Sequence, residues 1–341
     1  MKPFVSVGEN IHCTRIYKTD GKFVTKTDKG FAIPYKSGGT SRQLPIPKVF
    51  LDGADWSAGR VKHCAVAIWQ CMHGDENGKA TGADYLSNLA QAQERSGATY
   101  LDINVDEFST DISERIRLMD FTVKLVQKAS RLPMSIDSSN FEILRAGLSA
   151  CDSKRGAPML NSVSLERTSA VELAAEFSAV VIASAAGEHD LPASTAERLA
   201  NLERLIPQLT AKGIKTDAIH VDPLVFPIST DQTNGNGFLD AVSQVRKVYG
   251  PEIHIVAGLS NISFGMPNRK LLNQVFTWLA IEAGADGGIV DPLQINTMVL
   301  EKLDKESTVF NLAKALLTGQ DEFGMNYISA CRDGTIPAVN S

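Results

Sequence analysis

Short runs of apolar and β-branched residues alternate along this chain with longer segments whose apolar positions recur at helical spacing. The short runs fall at 4–7, 99–104, 133–136, 158–161, 179–183, 218–221, 254–258 and 287–290. Runs with so little polar alternation suit parallel strands covered on both faces. The amphipathic segments fall at 83–96, 112–130, 141–150, 166–177, 195–212, 237–249, 270–283 and 295–303. Three of them stop at Gly97, Gly213 and Gly284, the usual punctuation past a last helical turn. Strand and helix in regular alternation predict an α/β fold, a closed (β/α)8 TIM barrel. An open doubly wound sheet would carry a Gly-rich phosphate loop after its first strand, and Gly8-Glu9-Asn10-Ile11-His12 is not one.

The rhythm breaks once, in a long insertion after strand 1 at about 14–80. Its 15–36 stretch alternates around Asp20-Gly21, which predicts a β-hairpin. Residues 37–47, rich in Gly, Ser and Pro, predict a loop. Val49, Phe50, Trp56, Val66, Ile68 and Trp69 predict that the insertion is packed. The expected organisation is one barrel over 1–316, a cap inserted beside its mouth, and a C-terminal extension over 317–341.

Composition narrows the function classes. The 341 residues hold 34 Lys plus Arg and 39 Asp plus Glu, a net charge of −5 without a basic block. Such a chain is a poor partner for nucleic acid or an anionic membrane. Five scattered cysteines fit a reducing cytoplasm, and no apolar stretch approaches a membrane span. His12-Cys13, His63-Cys64, Cys71 and His73 match no standard zinc spacing, so no bound metal is expected. His189, His220 and His254 are isolated and read as structural.

Barrel enzymes carry their chemistry at the C-terminal ends of several strands. Here those ends read Leu101-Asp102-Ile103-Asn104, Ser135-Ile136-Asp137-Ser138, Leu160-Asn161-Ser162, Val221-Asp222-Pro223, Gly258-Leu259-Ser260-Asn261 and Val290-Asp291-Pro292. Any one of these polar residues could be a helix cap or a turn former. Capping explains less well the polar residues inside strands, Asp102 and Asn161. As a set, Asp and Asn offer donors and acceptors but no strong nucleophile, which suits the edge of a flat heterocycle such as a pterin or purine.

The segment Gly258-Leu259-Ser260-Asn261-Ile262-Ser263-Phe264-Gly265-Met266-Pro267-Asn268-Arg269 closely resembles the strand-seven region of methyltetrahydrofolate:corrinoid methyltransferases, and Gly284-Ala285-Asp286-Gly287-Gly288-Ile289-Val290-Asp291-Pro292 resembles that family's strand eight. Gly8-Glu9-Asn10-Ile11 is similar to that family's opening G-E-R-I-N. Leu101-Asp102-Ile103-Asn104-Val105, Ile136-Asp137-Ser138, Leu160-Asn161-Ser162 and Val221-Asp222-Pro223-Leu224 resemble its other strand ends, in the same order. The resemblance covers about 1–12 and 83–310. The chain departs at Asn10, where the family usually has Arg, and at Asp106, where it commonly has Gly.

The resemblance implies a pterin-binding barrel that moves a methyl group between N5 of tetrahydrofolate (5-methyltetrahydrofolate when loaded) and a corrinoid carried by a separate protein. It implies that Asp137, Asn161 and Asp222, with Asp102 and Asn104, serve the pterin or folate, and that Arg269 lies near the pterin or its aminobenzoyl-glutamate tail. It places Asn261 beside N5 as the catalytic residue. It also implies a homodimer, for which apolar Val275, Phe276, Trp278 and Leu279 are the local support. The direction expected is methylcorrinoid to tetrahydrofolate, in a demethylation or one-carbon pathway. Two alternatives stand beside it: a dihydropteroate synthase-type condensation, and a non-catalytic pterin-binding or docking module. The synthase hallmark N-x-T-P-D-S-F-S is missing, since the chain has Glu9-Asn10-Ile11-His12-Cys13-Thr14 there.

Overall fold

The computed structural model describes residues 4–337; the outermost residues of the expected barrel and C-terminal extension, 1–3 and 338–341, lie outside them. Eight strands close into a parallel barrel: Val5–His12, Tyr100–Asn104, Met134–Asp137, Met159–Val163, Val180–Ser184, Ile219–Asp222, His254–Ala257 and Gly287–Val290. Each neighbours the next in sequence, and the first closes against the last. All eight expected strands are present, seven of them within about two residues of the expected bounds, while the first runs on to His12 rather than stopping at 7.

The chain divides into two compact units: Met1–Val7, Ser96–Ala98 and Met159–Ser341 form one, Gly8–Arg95 and Thr99–Pro158 the other. In the first, the pairing runs Val181↔Ile219 and Ser184↔Asp222 on one side of Val180–Ser184, and Ile182↔Asn161 on the other. Its helices bury regular apolar stripes, as Leu202, Leu205 and Leu209 do on Thr195–Ala211. The C-terminal part is packed: Tyr327 is fully buried on Met325–Arg332, and Asp321 accepts the backbone N–H groups of Asn326 and Tyr327 at 3.0 and 2.8 Å. Val275 and Phe276 are fully buried and the Trp278 ring meets Phe310 edge-on at 5.4 Å. Val275 and Phe276 thus fill this unit's own core, while Trp278 is half-buried.

In the other unit, Tyr100–Asn104 runs parallel to Met134–Asp137, with Asn104 opposite Asp137. Here the insertion corrects two expectations. Residues 15–36 do not form a hairpin about Asp20-Gly21. Ile16–Lys18 pairs instead with the distant Arg60–Lys62. The Asp20-Gly21 signal makes only a local turn, Gly21 N–H to Lys18 carbonyl at 3.1 Å. Residues 37–47 are not a loop throughout, because Thr40–Pro45 is the third strand of a sheet with Thr25–Thr27 and Gly30–Ser37. Thr40–Pro45 leaves its first four residues exposed, so no apolar alternation marks it. The tight turn that makes it a strand is Gly38-Gly39, both at positive φ (57° and 80°), the two-residue turn that matches strand twist.

The first barrel helix, Glu76–Arg95, starts well before the expected 83. Gly78 and Gly82 conceal its first turns, since glycine lowers helix propensity. At Gly82 a Cβ would stand 2.6 Å from the Ala67 carbonyl, so the small residue lets this helix lie against His63–His73.

Candidate functional site

Ile112–Ala129 is capped by Asp111, Phe141–Ala150 by Asn140 and Thr195–Ala211 by Ser194. The N-caps of Ser169–Glu176, Asn234–Tyr249 and Arg269–Ala283 are Thr168, Thr233 and Asn268, none with a side-chain cap bond. Thus Asp102, Asn104, Asp137, Asn161, Asp222 and Asn261 cap none of these helices. Asp291 does serve a turn, accepting from Leu293 N–H at 3.0 Å and from the Gln294 amide at 2.6 Å.

In the unit that contains 159–337, Asn161 sits mid-strand and is 9% exposed. Its amide makes no hydrogen bond among the described residues. Asp222 ends its strand. One carboxylate oxygen accepts from Leu224 N–H at 2.8 Å, holding Leu224 at a φ of 69°; the other makes no hydrogen bond among the described residues. Burial pushes the Asp222 carboxyl up to about 6, against the opposing pull of that N–H and of Arg198.

Arg198 was not picked out from sequence. It is 3% exposed, donates to the Pro223 carbonyl at 2.7 Å and lies over the Phe226 ring. A signal existed: it occupies the apolar stripe of its helix, four residues before Leu202, where a charge needs a reason.

Asn261 stands in the 3-10 turn Leu259–Ser263 with its carboxamide exposed and without a hydrogen bond among the described residues. Arg269 braces that turn. Its guanidinium donates to the Ser260 carbonyl at 2.9 Å and to the Ser263 hydroxyl at 3.0 Å, and lies over Phe264. Gly258 leaves room for the carboxamide, since a Cβ there would come within 3.0 Å of the Asn261 amide nitrogen. Gly258→Ala is therefore expected to displace the flexible Asn261 side chain rather than unfold the turn. Turnover should fall several-fold with the melting temperature little changed, read by steady-state kinetics beside calorimetric melting.

In the unit that contains 8–95 and 99–158, His12 Nε2 and an Asp102 carboxylate oxygen are 2.7 Å apart, with Asp102 fully buried. The second Asp102 oxygen is enclosed and has no hydrogen-bond partner. Asn104 donates to Asp137 at 2.9 Å and accepts from Asp106 N–H at 3.0 Å. Burial, and next the Asp102 charge, push the Asp137 carboxyl up to about 7. His12, Asp102 and Asp137 each place a ligand atom within 4.8 Å of the others, a set able to hold a cation that sequence spacing did not reveal.

The two departures from the family pattern are occupied. Asp106 accepts from the Ser138 hydroxyl at 2.6 Å and from Ser139 N–H at 2.9 Å, tying one strand end to the next. Arg15, from the insertion, donates to the Asn10 carboxamide and lies 3.4 Å from the Glu9 carboxylate, returning a guanidinium to the segment where Arg is usual. His63 and Cys64 are buried in this unit. The His63 ring stacks on Tyr17 at 4.1 Å and meets the Tyr85 hydroxyl at 3.0 Å, and burial pushes the Cys64 thiol up to about 12.

The profile described as "pterin binding enzyme" matches residues 76–291. The methylcorrinoid:tetrahydrofolate methyltransferase of Eubacterium limosum is 30% identical over 262 residues, covering 75% of this chain and 90% of that protein. The methionine synthase of Mycobacterium tuberculosis is 31% identical over 226 residues, 62% of this chain but only 18% of that protein. Among solved structures, the dihydropteroate synthase of Xanthomonas albilineans with 4-aminobenzoic acid shares the fold at a TM-score of 0.52 and 19% identity, covering 67% of this chain and 87% of that one.

Proposed function

We propose, because the chain belongs to the pterin-binding enzyme family, that it is a methyltransferase moving a methyl group between a corrinoid protein and N5 of tetrahydrofolate. The direction assigned is methylcorrinoid to tetrahydrofolate, as in the name of the Eubacterium limosum relative. The observation that carries the reading is Asn261, an exposed carboxamide that the fold does not use, on a turn braced by Arg269.

Asn161 and Asp222 have the chemistry for a pterin edge. An amide without an internal bond offers one donor group and one acceptor, and a carboxylate with a free oxygen accepts from an amino or ring N–H. The same reading assigns Asp137, Asn104 and Asp102 to the folate. The corrinoid supplies the cobalt centre to which the methyl group is bound. The chain's own part is to hold tetrahydrofolate in line and to meet charge changes at N5. As the methyl group bonds to N5, the nitrogen loses its proton and the bonding pair of the cobalt–carbon bond stays on the metal. Asn261, a neutral group with both a donor and an acceptor, hydrogen-bonds N5 before and after that change. Positioning and electrostatics are the large contributions available without a covalent intermediate.

The test mixes the chain with tetrahydrofolate and a methylated corrinoid protein, or methylcob(III)alamin, while recording the visible spectrum. Loss of the methylated corrinoid band with formation of 5-methyltetrahydrofolate is expected. An unchanged spectrum with every methyl donor overturns the reading. Pteroate formation from a pterin pyrophosphate and p-aminobenzoate would replace it with the synthase alternative.

A further inference from the structure

The helix Thr195–Ala211 sends two polar side chains, three residues apart, to the ends of two neighbouring strands. Asn201 Nδ2 donates to the Ala185 carbonyl at 2.9 Å, just past Val180–Ser184. Arg198 Nε donates to the Pro223 carbonyl at 2.7 Å, just past Ile219–Asp222. The two strand ends are themselves tied, Ala185 N–H to the Asp222 carbonyl at 2.9 Å. Arg198 is buried, with its guanidinium 5.4 Å from the Phe226 ring centre. Desolvating a guanidinium is unfavourable unless it is hydrogen-bonded. An apolar residue would fill this stripe without that cost, as Leu202, Leu205 and Leu209 do on the same helix. Packing alone therefore does not call for an arginine here.

What the guanidinium touches is the loop that follows Asp222. Leu224 stands there at a φ of 69°, a left-handed conformation uncommon for a bulky side chain. The bond from Leu224 N–H to one Asp222 oxygen, at 2.8 Å, closes the loop from within. The bond from Arg198 to the intervening Pro223 carbonyl ties it from without. Charge acts in the same sense: burial disfavours the Asp222 carboxylate, and the Leu224 N–H and then the Arg198 charge oppose that effect. We infer that Arg198 is a positioning residue: by holding the Pro223 carbonyl it fixes the loop, and with it the direction in which Asp222 presents its second carboxylate oxygen to a ligand donor. That the donor belongs to the pterin edge of tetrahydrofolate rests on the function proposed above.

The test is calorimetric affinity for tetrahydrofolate in a double-mutant cycle of Arg198→Met and Asp222→Asn. Methionine keeps an apolar stem beside Phe226 and removes both donor and charge. Affinity should fall about tenfold in Arg198→Met, the size expected when a bond from a charged donor is lost, with KM for tetrahydrofolate moving more than kcat. In the Asp222→Asn background the same substitution should cost roughly threefold or less, because a residue that acts through another is not additive with it. A general loosening of the fold would instead weaken both backgrounds equally. Unchanged affinity in Arg198→Met overturns the inference, and so does an equal loss in the two backgrounds. Should the methionine variant not fold, Arg198→Lys takes its place in the cycle. An ammonium does not reproduce a planar guanidinium stacked on Phe226, so affinity should fall roughly threefold, again only with Asp222 present. No loss in Arg198→Lys overturns the inference likewise. Absence of tetrahydrofolate binding by the unaltered chain is a separate outcome, which overturns the proposed function and this inference together. Binding by the unaltered chain without coupling between the two residues removes the Arg198 role alone.

Discussion

Asn261→Ala is expected to slow methyl transfer roughly a hundredfold while leaving tetrahydrofolate affinity nearly unchanged, by analogy with loss of one preorganised electrostatic donor. The reason is differential stabilisation. A bond to the pterin edge is the same before and during reaction, so its loss weakens binding. A bond to N5 changes strength as the methyl group arrives, so its loss appears in the rate. The competing account, in which Asn261 holds the fold, has little to rest on: the side chain is exposed, caps no helix and makes no hydrogen bond among the described residues. Single-turnover rates at saturating tetrahydrofolate with a methylated corrinoid protein, beside calorimetric affinities, decide the matter. An unchanged rate would remove Asn261 from the mechanism. In the same assays Asn161→Ala should weaken binding before it affects the rate.

Asp222→Asn should separate stability from function in opposite directions. In the folded chain burial raises this carboxyl from 3.8 to about 6. The folded state therefore holds a proton that the unfolded state has released, and stability falls as pH rises through that interval. At pH 8 the ionised carboxylate costs roughly 3 kcal/mol relative to a group that stays neutral. Asparagine keeps an acceptor for Leu224 N–H and carries no charge, so the variant should be more stable at pH 8, with the gain closing toward pH 4. Tetrahydrofolate affinity should fall about tenfold or more, as expected when a charged acceptor is lost. Urea unfolding at pH 8 and pH 4, with calorimetry at pH 8, measures both effects. Equal destabilisation at the two pH values would show that Asp222 is held for its Leu224 turn alone.

The barrel was legible because its signals are local. Each buried parallel strand is a short apolar run, and each helix repeats its apolar positions over several turns, so both patterns survive in one dimension. Asn161 and Asp222 stood out for a related reason, as polar residues where a strand interior or strand end should be apolar. The insertion was less legible. Ile16–Lys18 finds its partner at Arg60–Lys62, and no local pattern encodes a pairing across that distance. Thr40–Pro45 is an exposed edge whose composition is that of a loop. Glycines in Glu76–Arg95 answer to a neighbouring helix rather than to their own.

The sequence alone therefore determined the α/β barrel, the order of its strands and the polar residues placed at their ends, because periodicity and strand-end chemistry are written residue by residue. Only the tertiary structure decided which charges meet. Arg198 beneath the Asp222 loop, Arg15 on Asn10 and Glu9, Arg269 under the Asn261 turn, and His12 against Asp102 each depend on two segments brought together by packing. A buried charge takes its meaning from what lies within a few ångströms of it, and that distance is set by the fold and not by spacing along the chain.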